Sequence, residues 1–258
     1  MLIIRSLIFN IIFYANLILQ MLIQAPIYFL LPRSGAIRVL KNWCHSSNWW
    51  HKLIVGTKFE VSGIENIPED GCIIAVKHQS MWEFYAILPL FEDPAYILKR
   101  ELMWIPLFGW YVAKTRMIPI NRGKRSRAMK EMTKRASEEI AQGRQILIYP
   151  EGTRRTPGAE PTYKFGVAHM YKELNCPVLP IALNSGLYWP RRSFMRYPGT
   201  IRVNILKPIM PGLNTEEFQS ELQNRIETSC MDLYEKASND VPAPPIPKAL
   251  KDQLKLRN

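Results

Sequence analysis

The stretch GCIIAVKHQSMWE, residues 71–83, joins a predicted strand to a predicted helix and carries a histidine at the junction. The run Gly71–Val76 is apolar and rich in β-branched residues, which is typical of a short buried strand. Ser80 is followed three residues later by Glu83, a pattern that marks the start of a helix. We therefore expect His78 at the edge of a sheet and close to solvent, where an imidazole is well placed to exchange protons.

The spacing of His78 and Glu83 supports two interpretations. A carboxylate on one ring nitrogen fixes the tautomer of an imidazole and stabilises its protonated form, as in a catalytic triad. The reacting hydroxyl would then belong to the substrate. Alternatively, Glu83 completes a capping box with Ser80, and His78 is incidental. The two interpretations are compatible, because a helix start can also direct the carboxylate back toward the histidine.

Strand patterns alternate with helical patterns from about residue 57 onward. The predicted strands are 58–63, 72–76, 95–99, 117–121, 144–150, 177–183 and 201–209. The predicted helices are 82–91, 101–114, 124–142, 165–174 and 215–237. Asn214, followed three residues later by Glu217, is the start signal of the last helix. Strands separated by helices predict an α/β fold, in which a mostly parallel central sheet is flanked by helices.

The amino-terminal segment is predicted to be helical and membrane-associated. Residues 6–32 carry no charge and exceed the roughly 20 residues with which a helix crosses a bilayer. Its polar residues fall within an arc of roughly 140° on a helical wheel; they are Arg5, Ser6, Asn10, Asn16, Gln20 and Gln24. Either the helix spans the membrane with this stripe against a partner helix, or it lies flat in one leaflet with the stripe toward water. If it spans, the basic residues that follow place the main domain on the cytoplasmic face, at the inner membrane in a bacterium.

These patterns divide the chain into three predicted parts. Residues 1–56 form membrane-anchoring helices, although the tryptophans and cations of 34–56 also suit an ordinary helix packed on a core. Residues 57–240 form the α/β domain. Residues 241–258 form a proline-rich, basic tail that we expect to be loosely held.

The composition favours an anionic partner. The 258 residues carry a net charge of +12, which suits nucleic acid, an anionic membrane or phosphorylated substrates. No helix-turn-helix, zinc-finger or RNP pattern is present, and the apolar amino terminus argues against nucleic acid. The four cysteines show no CxxC pair and no metal spacing, which predicts reduced thiols and no metal site.

Polar clusters follow three of the predicted strands directly. They are KHQSMWE (77–83), NRGKR (121–125) and PEGTRRT (150–156). Because parallel sheets hold their chemistry at the carboxyl ends of the strands, we expect the three loops to share one pocket. Gly152 would let the backbone approach a ligand, and Arg154 or Arg155 would grip a phosphate. The alternatives are a turn with solvated arginines and, for the basic run 121–135, a solvated helix face.

Four blocks in order resemble the 1-acylglycerol-3-phosphate O-acyltransferase family, the lysophosphatidic acid acyltransferases. The blocks are KHQSMWE (77–83), MIPINR (117–122), YPEGTRR (149–155) and CPVLPIAL (176–183). The resemblance extends from about residue 57 to residue 210. It implies a glycerolipid acyltransferase-like fold and makes 57–240 the acyltransferase domain.

The resemblance also implies a reaction and a set of site residues. An acyl chain would pass from acyl-CoA or acyl carrier protein to the sn-2 hydroxyl of 1-acylglycerol-3-phosphate, a membrane lipid, to form phosphatidic acid in phospholipid biosynthesis. His78 would deprotonate the hydroxyl, and Glu83 would orient His78. The implied substrate-binding residues are Lys99, Arg122, Glu151, Gly152, Thr153 and Arg154. Backbone N–H groups near Gly152 would receive the oxyanion. No cofactor or metal is expected, because the acyl donor is a co-substrate.

The sequence departs from the family pattern at its first block. Glu83 stands where the family usually has aspartate, and Lys77 stands where it commonly has asparagine. The extra methylene of Glu83 requires a slightly shifted backbone if its carboxylate is to reach the imidazole. Alternative functions are acylation of glycerol-3-phosphate or of another lysolipid, such as a lyso-ornithine lipid. A non-enzymatic protein that binds anionic membranes through its basic face is the alternative from another class.

Overall fold

A central sheet forms the middle layer of the chain, which a computed structural model describes over residues 1–121 and 125–257. Over these residues the sheet has seven strands in the order β1-β7-β6-β2-β5-β3-β4. The strands are β1 Thr57–Ser62, β2 Ile73–Val76, β3 Pro94–Lys99, β4 Ile118–Ile120, β5 Gln145–Ile148, β6 Val178–Leu183 and β7 Gly199–Ile205. All neighbouring pairs are parallel except β6 and β7. The predicted α/β fold with a mostly parallel sheet is confirmed.

Helices pack around the sheet, and two of them precede its first strand. They are α1 Leu2–Tyr28, α2 Arg33–Trp50, α3 Trp82–Ala86, α4 Phe108–Lys114, α5 Arg125–Ile140, α6 Phe165–Leu174, α7 Ser185–Tyr188, α8 Thr215–Ser238 and α9 Lys248–Arg257. A single π-helical turn, His51–Val55, continues α2. Short 3₁₀ turns occupy Ile64–Asn66, Leu88–Leu90 and Arg100–Trp104. Every residue of β2, β5 and β6 is buried, because helices cover both faces of the sheet centre.

Prolines shorten two helices relative to the sequence-based expectation. The pattern 82–91 predicts one helix, but α3 ends at Ala86 and Pro89 lies in the following 3₁₀ turn. The pattern 101–114 also predicts one helix. Ile105 is instead extended, with φ −69° and ψ 119°, and α4 begins only at Phe108. Proline disfavours helical backbone at the residue before it, so Pro106 explains this break.

The polar stripe of α1 faces the rest of the chain rather than water. Asn16 donates to the hydroxyls of Ser46 and Ser47 on α2, at 3.0 and 3.2 Å. Nearer the amino terminus, Asn10 and Ser6 bond to the segment 193–196. The stripe therefore has a partner helix, α2 of the same chain, and the interpretation that places it in water is wrong. Within the described residues α1 is the one helix long and apolar enough to cross a membrane.

The carboxyl-terminal tail is packed against the domain. The sequence predicts a loosely held extension, but residues 248–257 form α9, and Leu250 is fully buried. Arg257 pairs with Asp232 of α8 at 2.5 Å. Leu250 and Leu254 lie one helical turn apart and face the core together, so an amphipathic helix follows the prolines.

Candidate active site

His78 and Glu83 meet at the carboxyl end of β2. The Nδ1 atom of His78 lies 3.0 Å from Oε1 of Glu83, whose side chain is fully buried. The same oxygen accepts the backbone N–H groups of Gln79 and Ser80, at 2.7 and 2.6 Å. The other carboxylate oxygen accepts the hydroxyl of Ser185, at 2.8 Å. An acceptor surrounded by donors suits an ionised carboxylate, which keeps the proton on Nδ1 and leaves Nε2 as the basic nitrogen.

Glu83 bonds both to the imidazole and to the backbone before its own helix, but the predicted capping box with Ser80 is not formed, because the N-cap of α3 is Met81 and it has no side-chain cap bond. Glu83 accepts the N–H of Ser80, and the hydroxyl of Ser80 accepts the N–H of Trp82 at 3.1 Å. These bonds satisfy backbone donors at the start of α3, as a helix cap does. Because one oxygen of Glu83 bonds to both the backbone and the imidazole, the helix start fixes the orientation of the histidine ring.

The loop after β5 holds the main chain of His78. Its N–H donates to Oε2 of Glu151 at 2.9 Å, and its C=O accepts the N–H of Arg155 at 2.8 Å. The ring of Tyr149 stacks on the imidazole, with centroids 3.9 Å apart and planes 17° apart. Strands β2 and β5 are neighbours, so their carboxyl ends bring the two loops together. The predicted convergence holds for these two loops.

Glu151, one of the predicted substrate-binding residues, bonds to the main chain of His78 and to Lys77. Its side chain is fully buried, and its Oε1 bonds to Nζ of Lys77 at 2.9 Å. Both of its oxygens are therefore engaged by the protein. Burial raises the pKa of the Glu151 carboxyl, and the ammonium of Lys77 opposes that shift. These contacts come from residues far away in sequence, so the sequence did not predict them.

The rest of the glycine-threonine-arginine loop presents a mixed set of groups. Gly152 has a φ of +65°, a left-handed conformation that favours glycine. Its N–H donates to the C=O of Tyr149 at 2.9 Å, so this group is engaged within the loop. Thr153 is exposed. Arg155 bonds to Glu160 and Thr162 within the loop, which leaves the half-buried Arg154 as the candidate phosphate ligand here.

An open cleft of about 610 Å³ lies beside this loop. Its polar wall includes Thr153 and Lys164, and its apolar wall includes Met129 and Met132 of α5. Tyr149 both lines the cleft and stacks on His78, so the imidazole lies behind one wall of the cleft. Burial raises the pKa of Tyr149 well above its usual value, and the nearby Arg154 opposes the shift. The phenol is therefore neutral and acts through packing.

Two of the predicted basic ligands have different outcomes. Lys99 is exposed at the carboxyl end of β3, in register with Ile120, and Ile120 lines the cleft. Arg122 lies outside the described residues. Over residues 1–121 and 125–257, no group of three or more histidine, cysteine or acidic side chains is arranged to hold a metal ion.

A second, narrow cavity lies between α1, α2 and the β3 side of the sheet. Its volume is about 60 Å³, and apolar side chains such as Leu17, Met21 and Val112 line most of it. Tyr96 lines this cavity and lies 6.2 Å, ring centroid to ring centroid, from Tyr149. Two stacked tyrosines, Tyr96 and Tyr149, therefore separate this apolar cavity from the imidazole of His78.

Sequence reasoning did not identify Ser185 as part of the site. Ser185 follows β6 after one residue, at the same sheet edge as His78. The rule that polar residues after parallel strands converge could have found it, because β6 is the other neighbour of β2. Lys77 was recognised as a departure from a family pattern, but its buried contacts were not.

Comparisons with known proteins agree with this geometry. Residues 58–184 match the protein-family model described as Acyltransferase. A 1-acyl-sn-glycerol-3-phosphate acyltransferase of Pseudomonas aeruginosa is 41% identical over 172 residues, which cover 67% of this chain and 66% of that protein. A chloroplastic 1-acyl-sn-glycerol-3-phosphate acyltransferase of Brassica napus is 30% identical, and the match covers 67% of this chain and 51% of that protein.

A solved structure shares the fold. It is the crystal structure of the 1-acyl-sn-glycerophosphate acyltransferase PlsC from Thermotoga maritima, with a TM-score of 0.76 and 24% identity. The match covers 90% of this chain and 98% of that one. The matched part of this chain spans about half to two thirds of the length of the two curated relatives described above. Together, the family model and the curated relative from Pseudomonas aeruginosa show that the chain belongs to the acyltransferase family that includes the 1-acyl-sn-glycerol-3-phosphate acyltransferases.

Proposed function

We propose that this protein transfers an acyl chain from acyl-CoA or acyl carrier protein to the sn-2 hydroxyl of 1-acylglycerol-3-phosphate. The product is phosphatidic acid, a precursor in phospholipid biosynthesis. The observation that carries the proposal is the 3.0 Å contact of His78 with a fully buried Glu83, behind a wall of an open cleft. The choice of acceptor is supported by the relatives, which are 1-acyl-sn-glycerol-3-phosphate acyltransferases.

The chemistry follows from the orientation of the imidazole. Nε2 of His78 takes the proton of the substrate hydroxyl as the oxygen attacks the thioester carbonyl carbon. Glu83 stabilises the imidazolium through Nδ1. When the tetrahedral intermediate collapses, the C–S bond breaks and the imidazolium returns the proton to the departing thiol. No acyl-enzyme forms and no cofactor is required, because the donor already carries an activated thioester.

Basic side chains near the cleft suit the phosphate of the acceptor. Arg154 lies close to Tyr149, and Lys164 and Thr153 line the cleft. A guanidinium binds phosphate through two parallel hydrogen bonds, so we assign Arg154 this role. Arg122, by its position in the sequence, and Lys99, at the end of β3, are the further candidates.

The amino-terminal helices would hold this site at a membrane. The outward face of α1 exposes large apolar side chains along its whole length, including Ile4, Ile11, Ile18 and Ile27. The opposite face packs against α2 and the domain. Such a face is stable when lipid covers it. We place the domain on the cytoplasmic face from the basic residues that follow α1, and the narrow apolar cavity beside α1 suits an alkyl chain.

The proposal is tested by thiol release from acyl-CoA that depends on lysophosphatidic acid in vesicles. His78→Ala should lower kcat by about 10²–10⁴-fold without loss of the fold, because general-base catalysis contributes that much. His45→Ala, at an exposed position on α2, is the matched control and should retain activity. Near-normal turnover of a folded His78→Ala protein would refute the assignment. Parallel assays with glycerol-3-phosphate and with a lyso-ornithine lipid would identify a different acceptor. Parallel assays with acyl-CoA and with acyl carrier protein would identify the preferred acyl donor.

A further inference from the structure

Lys77 is a buried lysine that sits between two carboxylates. Its side chain is 4% exposed, and Nζ lies 2.9 Å from Glu151 and 2.6 Å from Glu227 of α8. The hydroxyl of Tyr163 also donates to Glu227, at 2.9 Å. Burial by itself would lower the pKa of Lys77, but the surrounding negative groups, Glu151 foremost, outweigh it and raise the pKa. The side chain is therefore a buried ammonium with two counter-charges.

This ammonium lies next to the machinery that holds the histidine. Glu151 uses one oxygen for Nζ of Lys77 and the other for the backbone N–H of His78. A single carboxylate from the loop after β5 thus clamps two consecutive residues of the loop after β2. Lys77 has no contact with the cleft, whose lining includes Glu151 but neither Lys77 nor Glu227 in the described part of the chain.

We propose that Lys77 is a positioning residue for His78: its ammonium keeps Glu151 in the orientation that fixes the His78 main chain, and Glu227 holds Lys77 from α8. The inference rests on the proposed function, because it assigns a role within the same site. It also gives α8, which lies outside the four sequence blocks, a part in aligning the general base. The side chain acts through Glu151 and does not touch substrate.

Removing the ammonium would have two physical effects. Glu151 would become a buried carboxylate without a counter-charge, facing Glu227, so it would turn away or take up a proton. Either change weakens its bond to the His78 N–H and displaces the imidazole. If Glu151 turns away but stays ionised, its uncompensated negative charge also favours the imidazolium. The other groups that face this ring are Glu83 from α3 and Tyr149 from the loop after β5, with Arg154 close to Tyr149.

The decisive experiment compares full-length Lys77→Met and Lys77→Arg in the vesicle assay. Lys77→Met should lower kcat by about 10- to 100-fold, the effect of a small misplacement of a catalytic group, with the KM for lysophosphatidic acid within about twofold of wild type. In a plot of kcat against pH, the rise of activity on the acid side (the acid limb) should move up by about one pH unit, because an ionised Glu151 without its counter-charge stabilises the imidazolium. Lys77→Arg, which keeps the charge, should leave that limb in place even if its bulk lowers kcat.

A matched control separates positioning from stability. Glu139→Gln disrupts another buried ion pair, 2.7 Å from Arg144 and remote from the catalytic pair, so it should lower Tm and leave kcat and the acid limb unchanged. Glu227→Gln removes a negative charge instead, so it should move the acid limb slightly down, and it tests the inference if Lys77→Met does not fold. A folded Lys77→Met protein with wild-type kcat and acid limb would overturn the inference. NMR titration of the His78 ring in wild type and in Lys77→Met measures the same pH shift without turnover. An inactive wild-type protein would therefore count against the proposed function and not against the role of Lys77.

Discussion

Replacing Glu83 by aspartate tests whether the length of its side chain sets the catalytic geometry. One methylene shortens the reach by about 1.5 Å, the length of a carbon–carbon bond. If the backbone stays in place, the 3.0 Å contact with Nδ1 of His78 stretches to as much as about 4.5 Å, beyond hydrogen-bonding distance. The shorter acid cannot keep the imidazole and also the N–H groups of Gln79 and Ser80, which lie 2.7 and 2.6 Å from the same oxygen.

The expected losses follow from the bonds involved. A hydrogen bond to a charged partner contributes about 1.5–3 kcal/mol, so losing the contact with His78 should lower kcat by roughly 10- to 150-fold. Glu83→Gln removes the charge that stabilises the imidazolium and allows the wrong tautomer. We expect a loss of about 10⁴-fold, as for the corresponding change in a serine–histidine–acid triad. The two variants should therefore differ by roughly 70- to 1000-fold.

The assay is thiol release from acyl-CoA, dependent on added lysophosphatidic acid, normalised to folded protein. Both variants remove contacts of a fully buried group, so circular dichroism and Tm must show that each is folded at the assay temperature. If folded Glu83→Asp is as inactive as Glu83→Gln, the carboxylate charge alone does not support turnover and the longer arm is required. If Glu83→Asp matches wild type, the 3.0 Å contact does not limit the reaction, and the reasoning fails.

Two further outcomes test the membrane face and the acid stability. Ile11 and Ile18 are 62% and 54% exposed, and replacing both by lysine should abolish flotation with liposomes while Tm stays constant. The control replaces both by leucine. Undiminished flotation of the lysine variant would contradict a lipid contact. Hydrogen bonds from Arg202 lower the pKa of Asp240, so this stabilisation is present above about pH 4 and is lost as pH falls through the lowered value. Asp240→Asn should cost less than about 1 kcal/mol at neutral pH, after solvent screening. The cost measured by urea unfolding should shrink as the pH falls below about 4, and a cost that does not change with pH would refute the linkage.

The sequence pattern predicted the sheet well, because a short run of neighbouring apolar residues is enough to indicate a buried strand. Strand β2 reads as an uninterrupted apolar run, and the polar residues begin only at Lys77, where the strand has ended. The start of α8 was equally local, since Asn214 and Glu217 form the capping box within four residues. Features of this kind depend on neighbours in sequence, and a single chain contains them in full.

The role of Glu151 could not be read from its neighbours. Its partner Lys77 lies 74 residues away, and Glu227, which holds Lys77, lies 150 residues from that lysine. The prediction of a loosely held carboxyl-terminal tail was wrong for a similar reason, because the surface that buries Leu250 belongs to distant segments. Deleting residues 1–32 is also a poor test of membrane binding, since Phe9 and Phe13 belong to the core. Substitutions on the exposed face of α1 avoid that problem.

The contact between His78 and Glu83 depends on the register of β2 between its two neighbours. Ala75 pairs with Ile148 of β5 on one side and with Pro180 of β6 on the other. The first neighbour carries the loop that binds both polar backbone groups of His78, and the second leads to Ser185, which holds the far oxygen of Glu83. The histidine and its acid are thus fixed from opposite sides of one strand. A change that displaces β2 by a fraction of an ångström should therefore lengthen the contact between His78 and Glu83 before it unfolds the sheet, and lose activity before stability.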